Sequence, residues 1–333
     1  MACYGGYVLN YNGRSWKRVR SGLAADVAVD GVAAVSAKKV WVVGGTYPQK
    51  SCTGPSRPFL ASSSGGRFKA YNLKGLNLGD AVLEGISAPS AADVWIIGAS
   101  QAEATSSPVL LHFNGTSLRR ISIPSKLAED QVLSSVAASG PKNVWIVATN
   151  SGTGASELLH WNGNWTSYLA AENVYLESVA TSSANRAWVV GYTPTATYSA
   201  RWNGKTWTKV TVPKSIGLLF GVTMSGTSAW AVGDEFVGNE GRTEPIALHS
   251  TGGRWRLKVV PDPSESKSQV NQSALRAVSA ASGHFVAAVG QNGIQCGTGS
   301  DSFADVYAGS RWKTARGLTR RATRTAAVPD CGG

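Results

Sequence analysis

Apolar residues in this chain come in short, dense runs: Val40–Val43, Val94–Ile97, Val144–Ala148, Ala187–Val190 and Ala229–Val232. A few polar residues separate each run from a second, alternating segment such as Trp207–Val212. Runs of this length, rich in β-branched residues and tryptophan, predict strands covered on both faces. No window keeps the helical period of roughly 3.6 over ten residues, so the chain is expected to be all-β.

The runs belong to two phrases that recur along the whole chain. One holds the apolar strand: VSAKKVWVVG at 35–44, ISAPSAADVWIIG at 86–98, VAASGPKNVWIVA at 136–148, VATSSANRAWVVG at 179–191, VTMSGTSAWAVG at 222–233 and VSAASGHFVAAVG at 278–290. Its tryptophans, Trp41, Trp95, Trp145, Trp188 and Trp230, are spaced by 54, 50, 43 and 42 residues. The other phrase reads LNYNGRSW at 9–16, SSSGGRF at 62–68, LHFNGTSL at 111–118, LHWNGNW at 159–165, ARWNGKTW at 200–207, LHSTGGRW at 248–255 and DVYAGSRW at 305–312. Its Asn-Gly pairs predict tight hairpins in which both central residues take positive φ. A repeat of about 40–55 residues made only of short strands predicts a β-propeller of four-stranded blades.

Counting the phrases gives seven outer hairpins and six inner pairs, which predicts a seven-bladed propeller. Six blades are expected over 21–72, 81–123, 131–169, 174–212, 217–260 and 273–316. A closing blade would combine 1–19 with 319–333, Thr325–Val328 supplying its inner strand, so that the N-terminal hairpin and a C-terminal strand close the ring and leave no open sheet edge. With 38 glycines, 43% apolar and 16% charged residues, the composition is globular, and no linker interrupts the pattern, so residues 1–333 are expected to form one domain. No apolar run approaches the roughly 18 residues of a membrane span. No leader precedes the first hairpin, which abuts Met1, and an extracellular placement expects one to have been removed.

The four cysteines, Cys3, Cys52, Cys296 and Cys331, fall in loops or near the termini rather than in apolar strands. Cys3–Cys331 would staple the closing blade, with Cys52–Cys296 as the second bridge; four unpaired thiols are the alternative. Paired cysteines favour a secreted protein.

Three consecutive segments, Trp207-Thr-Lys-Val210, Leu219-Phe-Gly-Val222 and Ala229-Trp230-Ala231-Val232, resemble the strand signatures of tectonin and tachylectin-type propellers, and are similar to propeller repeats of secreted actinobacterial proteins. The resemblance implies a lectin-like architecture and, in some such proteins, a place in a toxin particle or beside a protease. The glycine-to-tryptophan spacing also resembles the Asp-box of sialidases, but Asn stands beside the glycine and no Asp lies two residues before it.

Chemistry-bearing clusters are few. His112, His160 and His249 share one repeat position, which other repeats fill with Asn10, Ser62, Arg201 and Val306; on separate blades they cannot converge on a metal and are expected to be structural. Glu84, Glu177, Arg276 and Ser134 hold equivalent places early in the inner strands, where they would face a central channel. Glycoside hydrolysis needs two carboxylates about 5–10 Å apart, which non-neighbouring blades would supply only across that channel. No nucleophile elbow, zinc helix or phosphate loop is present, so neither catalysis nor a cofactor is expected. The loops at 46–57, 99–107, 149–156, 192–198, 234–245 and 291–302 differ far more than the strands, and Tyr47, Tyr192, Tyr198 and Phe236 near them are candidate sugar-stacking residues.

The net charge of +12 is uneven. Ten of the 32 basic residues lie in 1–20 and 311–324, with no acid among them. Arg18, Arg20, Arg316, Arg320 and Arg321 are the expected anion-binding patch, because ring closure would bring the two ends together. These features together predict a monomeric, secreted, non-catalytic binder of cell-surface glycan or an anionic polymer. A protein-docking scaffold in a secreted assembly is the alternative, and a glycan-cleaving enzyme the third.

Overall fold

The structure is a computed structural model that describes residues 6–19, 22–24, 26–47, 56–64, 66–100, 107–127, 131–169, 173–213, 217–238, 242–263, 271–294 and 300–315. Apart from one 3-10 turn at Ser125–Leu127, its regular elements are strands. Six four-stranded antiparallel units follow one another: blade one over 27–70, blade two over 82–120, blade three over 131–169, blade four over 175–209, blade five over 218–258 and blade six over 271–314. A single parallel bridge, Thr243 to Gln272, joins the sheets of blades five and six. The chain divides into two compact units, Met1–Asn10 with Arg18–Ala184 and Tyr11–Lys17 with Asn185–Gly333.

The expected seven-bladed ring is overturned. Every four-stranded unit is built from one contiguous stretch of chain, and the N-terminal strands Leu9–Tyr11 and Trp16–Arg18 pair only with each other, as a two-stranded sheet. The seventh hairpin phrase is therefore a lone hairpin among the described residues, with Tyr11 stacked 6.1 Å from Phe285. The closing strand expected in 319–333 lies outside the described residues, as do Cys3, Cys52, Cys296 and Cys331.

The dense apolar runs have a simple cause. In blade two, Val94 and Ile96 pack with Trp41, Val43 and Leu60 of blade one. The alternate residues, Trp95 and Ile97, pack with Leu133, Val144, Ile146 and Leu159 of blade three. A strand with a neighbouring blade on each face has no polar side, and each buried aliphatic side chain there contributes roughly 1.5–3 kcal/mol. In the second unit, Trp230, Val232 and Ala247 meet Leu275, Val286, Phe303 and Trp312 in the same manner.

The first strand of a blade carries a bulge at a fixed place, between Val29 and Gly31, Leu83 and Gly85, Leu133 and Ser135, Leu219 and Gly221, and Leu275 and Ala277. The glycine that closes the V-W-x-V phrase answers it: a Cβ on Gly98 or Gly233 would collide with the backbone carbonyl of Val82 or Leu218. The hairpins differ from expectation. Only the glycine has positive φ at Asn12-Gly13, Asn114-Gly115, Asn162-Gly163 and Asn203-Gly204. The asparagine caps the turn instead, its Oδ1 accepting from the backbone N–H groups of Thr116 and Ser117 at 3.1 and 2.9 Å, and of Lys205 and Thr206 at 2.9 Å each. An asparagine that bonds its own backbone stabilises a three- or four-residue loop without adopting positive φ itself.

Candidate functional site

The tryptophan of the V-W-x-V strand lies opposite one residue of the next strand, and in three blades that residue is histidine. His112 lies over Trp95 with ring centroids 4.1 Å apart, His160 over Trp145 at 3.9 Å and His249 over Trp230 at 4.0 Å, all nearly parallel. Each histidine Nε2 is hydrogen-bonded to the side chain two residues before its tryptophan: Asp93 at 2.8 Å, Asn143 at 2.9 Å and Ser228 at 2.8 Å. Blade one reaches the same end differently, with Lys39 Nζ 4.6 Å from the Trp41 ring and donating to Ser62 Oγ at 2.8 Å. Burial lowers the His160 pKa to about 4, and burial followed by Lys258, His284 and Arg256 lowers that of His249. All three imidazoles are lids over indoles, those of His160 and His249 held neutral by burial, and the described residues contain no group of three His, Cys, Asp or Glu able to hold a metal.

Blade four departs from this arrangement. Arg201 stands opposite Trp188, and Arg186 precedes that tryptophan by two residues. Residues 186 and 188 share a face of their strand, and the pairing puts Arg201 on the same face. Two guanidinium groups thus replace the imidazole and its acceptor. They border a cavity of about 450 Å³ whose walls include Trp188, Trp202, Asn185 and Asn203 of blade four and Met224, Thr227, Thr251, Gly252 and Gly253 of blade five.

The local sequence explains the opening. Where four of the hairpins have Asn-Gly, blade five has Thr251-Gly252 followed by Gly253, the two glycines with φ of 146° and 88°. A Cβ on Gly253 would fall onto the Arg201 guanidinium, so this glycine makes room for that side chain. The tryptophan that follows anchors the hairpin: Trp255 lies 4.4 Å from Trp188 and donates from Nε1 to Ser199 Oγ at 2.8 Å. The indoles beside the cavity are therefore tightly packed, with Trp188 and Trp202 only 5% and 7% exposed, while both arginines are exposed at the rim. No carboxylate contributes to the lining, so the site is electropositive.

The residues singled out by sequence lie elsewhere. Glu84 and Arg276 sit at the inner-strand bulges, and Glu177 lies in the first strand of blade four. Burial raises the Glu84 pKa, with a further rise from Asp30, the bulge residue of blade one. In the second unit the Arg276 guanidinium lies 4.0 Å from the Phe220 ring. Asp234 there is raised to about 6 by burial, an effect that Arg276 and the Leu218 backbone partly offset. Tyr192 and Tyr198 occupy the end of the blade-four ladder remote from Arg201, Tyr198 having Lys209 Nζ 5.9 Å from its ring. Phe236 is 52% exposed on blade five, and Tyr47 packs beside Gly45 in the first unit. Of the basic patch, Arg18 lies over the Tyr7 ring at 5.5 Å; Arg20, Arg316, Arg320 and Arg321 fall outside the described residues. The signal for the cavity was a His-to-Arg exchange at 201, an irregularity in a repeat rather than a motif.

No protein-family model matches the chain, and no curated protein matches it in sequence. Solved structures do. A variant of the Aleuria aurantia lectin in complex with α-methyl-L-fucoside is 12% identical, with a TM-score of 0.51 over 90% of this chain and 98% of that one. A second complex of that lectin, with Fucα1-6GlcNAc, gives 12% identity and 0.51 over 91% and 99%. A third structure of the lectin, described as a six-bladed β-propeller, gives 12% and 0.50 over 91% and 99%. This likeness establishes the propeller fold, and six blades agree with the six four-stranded units.

Proposed function

We propose that this protein is an extracellular, non-catalytic glycan-binding module and that the cavity between blades four and five is its binding site. The observation that carries the reading is the opening beside a tryptophan whose counterpart histidine or lysine covers in four other blades. In its place are indole walls, amide and hydroxyl groups from Asn185, Asn203, Thr227 and Thr251, and two arginine donors. Mostly rigid walls with a few convergent polar groups are the usual make-up of a small-ligand site, and indole surfaces with hydrogen-bond donors suit a pyranose ring. The sugar-bound neighbours support the reading through their fold. Because blades one, two, three and five are covered and blade six has Ala287 where they have tryptophan, one site per chain is expected. A glycan array followed by calorimetry tests it: wild type should retain at least one glycan with a stoichiometry near one, and Arg201→Ala should abolish retention. Silence across the array, or equal retention by the variant, would rule out this site.

A further inference from the structure

We infer that the ligand of this cavity is an acidic saccharide, a sugar carrying a carboxylate or sulfate that Arg186 and Arg201 engage together; this rests on the glycan-binding reading and narrows it.

Three features of the site point to charge. First, the arginines replace two groups that elsewhere satisfy each other. In blades two, three and five the cross-strand residue and the residue two before the tryptophan form an internal hydrogen bond. Two guanidinium groups cannot do so, since both are donors only and both are positive. A sequence that needed only a lid would gain nothing from placing like charges on one face. Second, the lining holds no Asp or Glu, and Arg201 has no ion-pair partner among the described residues. The Arg201 charge is left for something outside the blade. Third, Gly252-Gly253 keeps the adjoining hairpin clear of the guanidinium, which would lose its place to any side chain at 253. Arginine presents a planar fork that matches the paired oxygens of a carboxylate or sulfate, and such charge-assisted bonds are about twice as strong as neutral ones. A neutral sugar would leave Arg201 without that match. The walls of Trp188 and Trp202 distinguish a sugar from a bare anion, for which they offer nothing.

The test compares ligands that differ only in charge. Wild type is titrated calorimetrically, at low salt, with a galacturonic acid tetrasaccharide, with its fully methyl-esterified form, with a sulfated galactose tetrasaccharide and with inorganic sulfate. At least one acidic tetrasaccharide should bind about tenfold or more tightly than the neutral ester, and the carboxylated and sulfated arms tell which oxyanion is preferred. In Arg186→Gln and Arg201→Gln the ratio should fall towards one while the melting temperature holds. Gly253→Ala, which displaces the guanidinium without removing it, should lower the ratio as well. Equal binding of ester and acid would overturn the inference and leave the glycan-binding reading standing. Inorganic sulfate binding as tightly as the sulfated sugar would overturn it in favour of a simple anion site. Absence of binding by every saccharide would overturn both.

Discussion

Blades three and four share a strand plan and treat its tryptophan differently through two side chains. In blade three, Asn143 and His160 seal Trp145, which is fully buried. In blade four, Arg186 and Arg201 occupy the corresponding places and Trp188 borders a cavity. The backbone pairing is the same, tryptophan opposite the exchanged residue in both. One repeat position thus serves stability in one blade and recognition in another. A repeat scaffold allows this because each blade's core is set by its own strands and its neighbours, so one lid can be given up without unfolding the rest.

The contrast can be broken most forcefully at the closed blade. Trp145→Ala should destabilise the protein by about 3–5 kcal/mol in urea denaturation, as for other buried aromatics; a loss below about 1 kcal/mol would mean that Trp145 is not core. The lids should then separate the two blades. His160→Ala leaves the Asn143 side chain short of a partner and should lose about 1–3 kcal/mol. Arg201→Ala removes an exposed side chain and should stay within about 0.5 kcal/mol of wild type. Equal losses from the two would erase the distinction between lid and site.

Acidity sharpens the comparison further. The His160 pKa is lowered in the folded state, so the stability it contributes is present above pH 6.5 and is lost as pH falls from there through about 4. Asp234 and Asp305, raised by burial to about 6, act with the opposite sign, their contribution being lost as pH rises from the ordinary carboxylate range through 6. Subtracting the melting curve of His160→Gln from that of wild type isolates the histidine. The difference should shrink from pH 7 to pH 4, and a constant difference would contradict a buried neutral imidazole. The smallest stability effect is expected from grafting the closed arrangement into blade four. Arg186→Asn with Arg201→His should change the melting temperature little and eliminate saccharide binding.

Much of the fold was legible because burial on both faces writes itself into consecutive apolar residues. Val94 to Ile97 read as a doubly covered strand, and their packing against blades one and three shows why. The blade count was not legible. The phrase at 9–16 has the same sequence signs as the other hairpins, yet strand pairing beyond the hairpin depends on what chain is available to pair, which local pattern does not encode. The site was hidden for a related reason. A search for clustered acids, metal ligands and loop tyrosines passes over Arg201, whose meaning lies in what it replaces at a position defined by Trp188. Glu84 and Arg276 did share a structural place, the inner-strand bulge, but their partners, Asp30 and Asp234, come from neighbouring strands that sequence spacing does not bring together.

The central claim, that the cavity beside Trp188 and Trp202 in blade four takes a ligand while the covered tryptophans of other blades do not, can be observed directly. The twelve indole N–H groups give separate signals in a nitrogen–proton correlation spectrum of labelled protein, assignable by single substitutions. On titration with the acidic tetrasaccharide, the signals of Trp188 and Trp202 should move together and saturate, while those of Trp41, Trp95, Trp145 and Trp230 stay in place. Saturable shifts in any of those four with Trp188 unmoved would contradict the account.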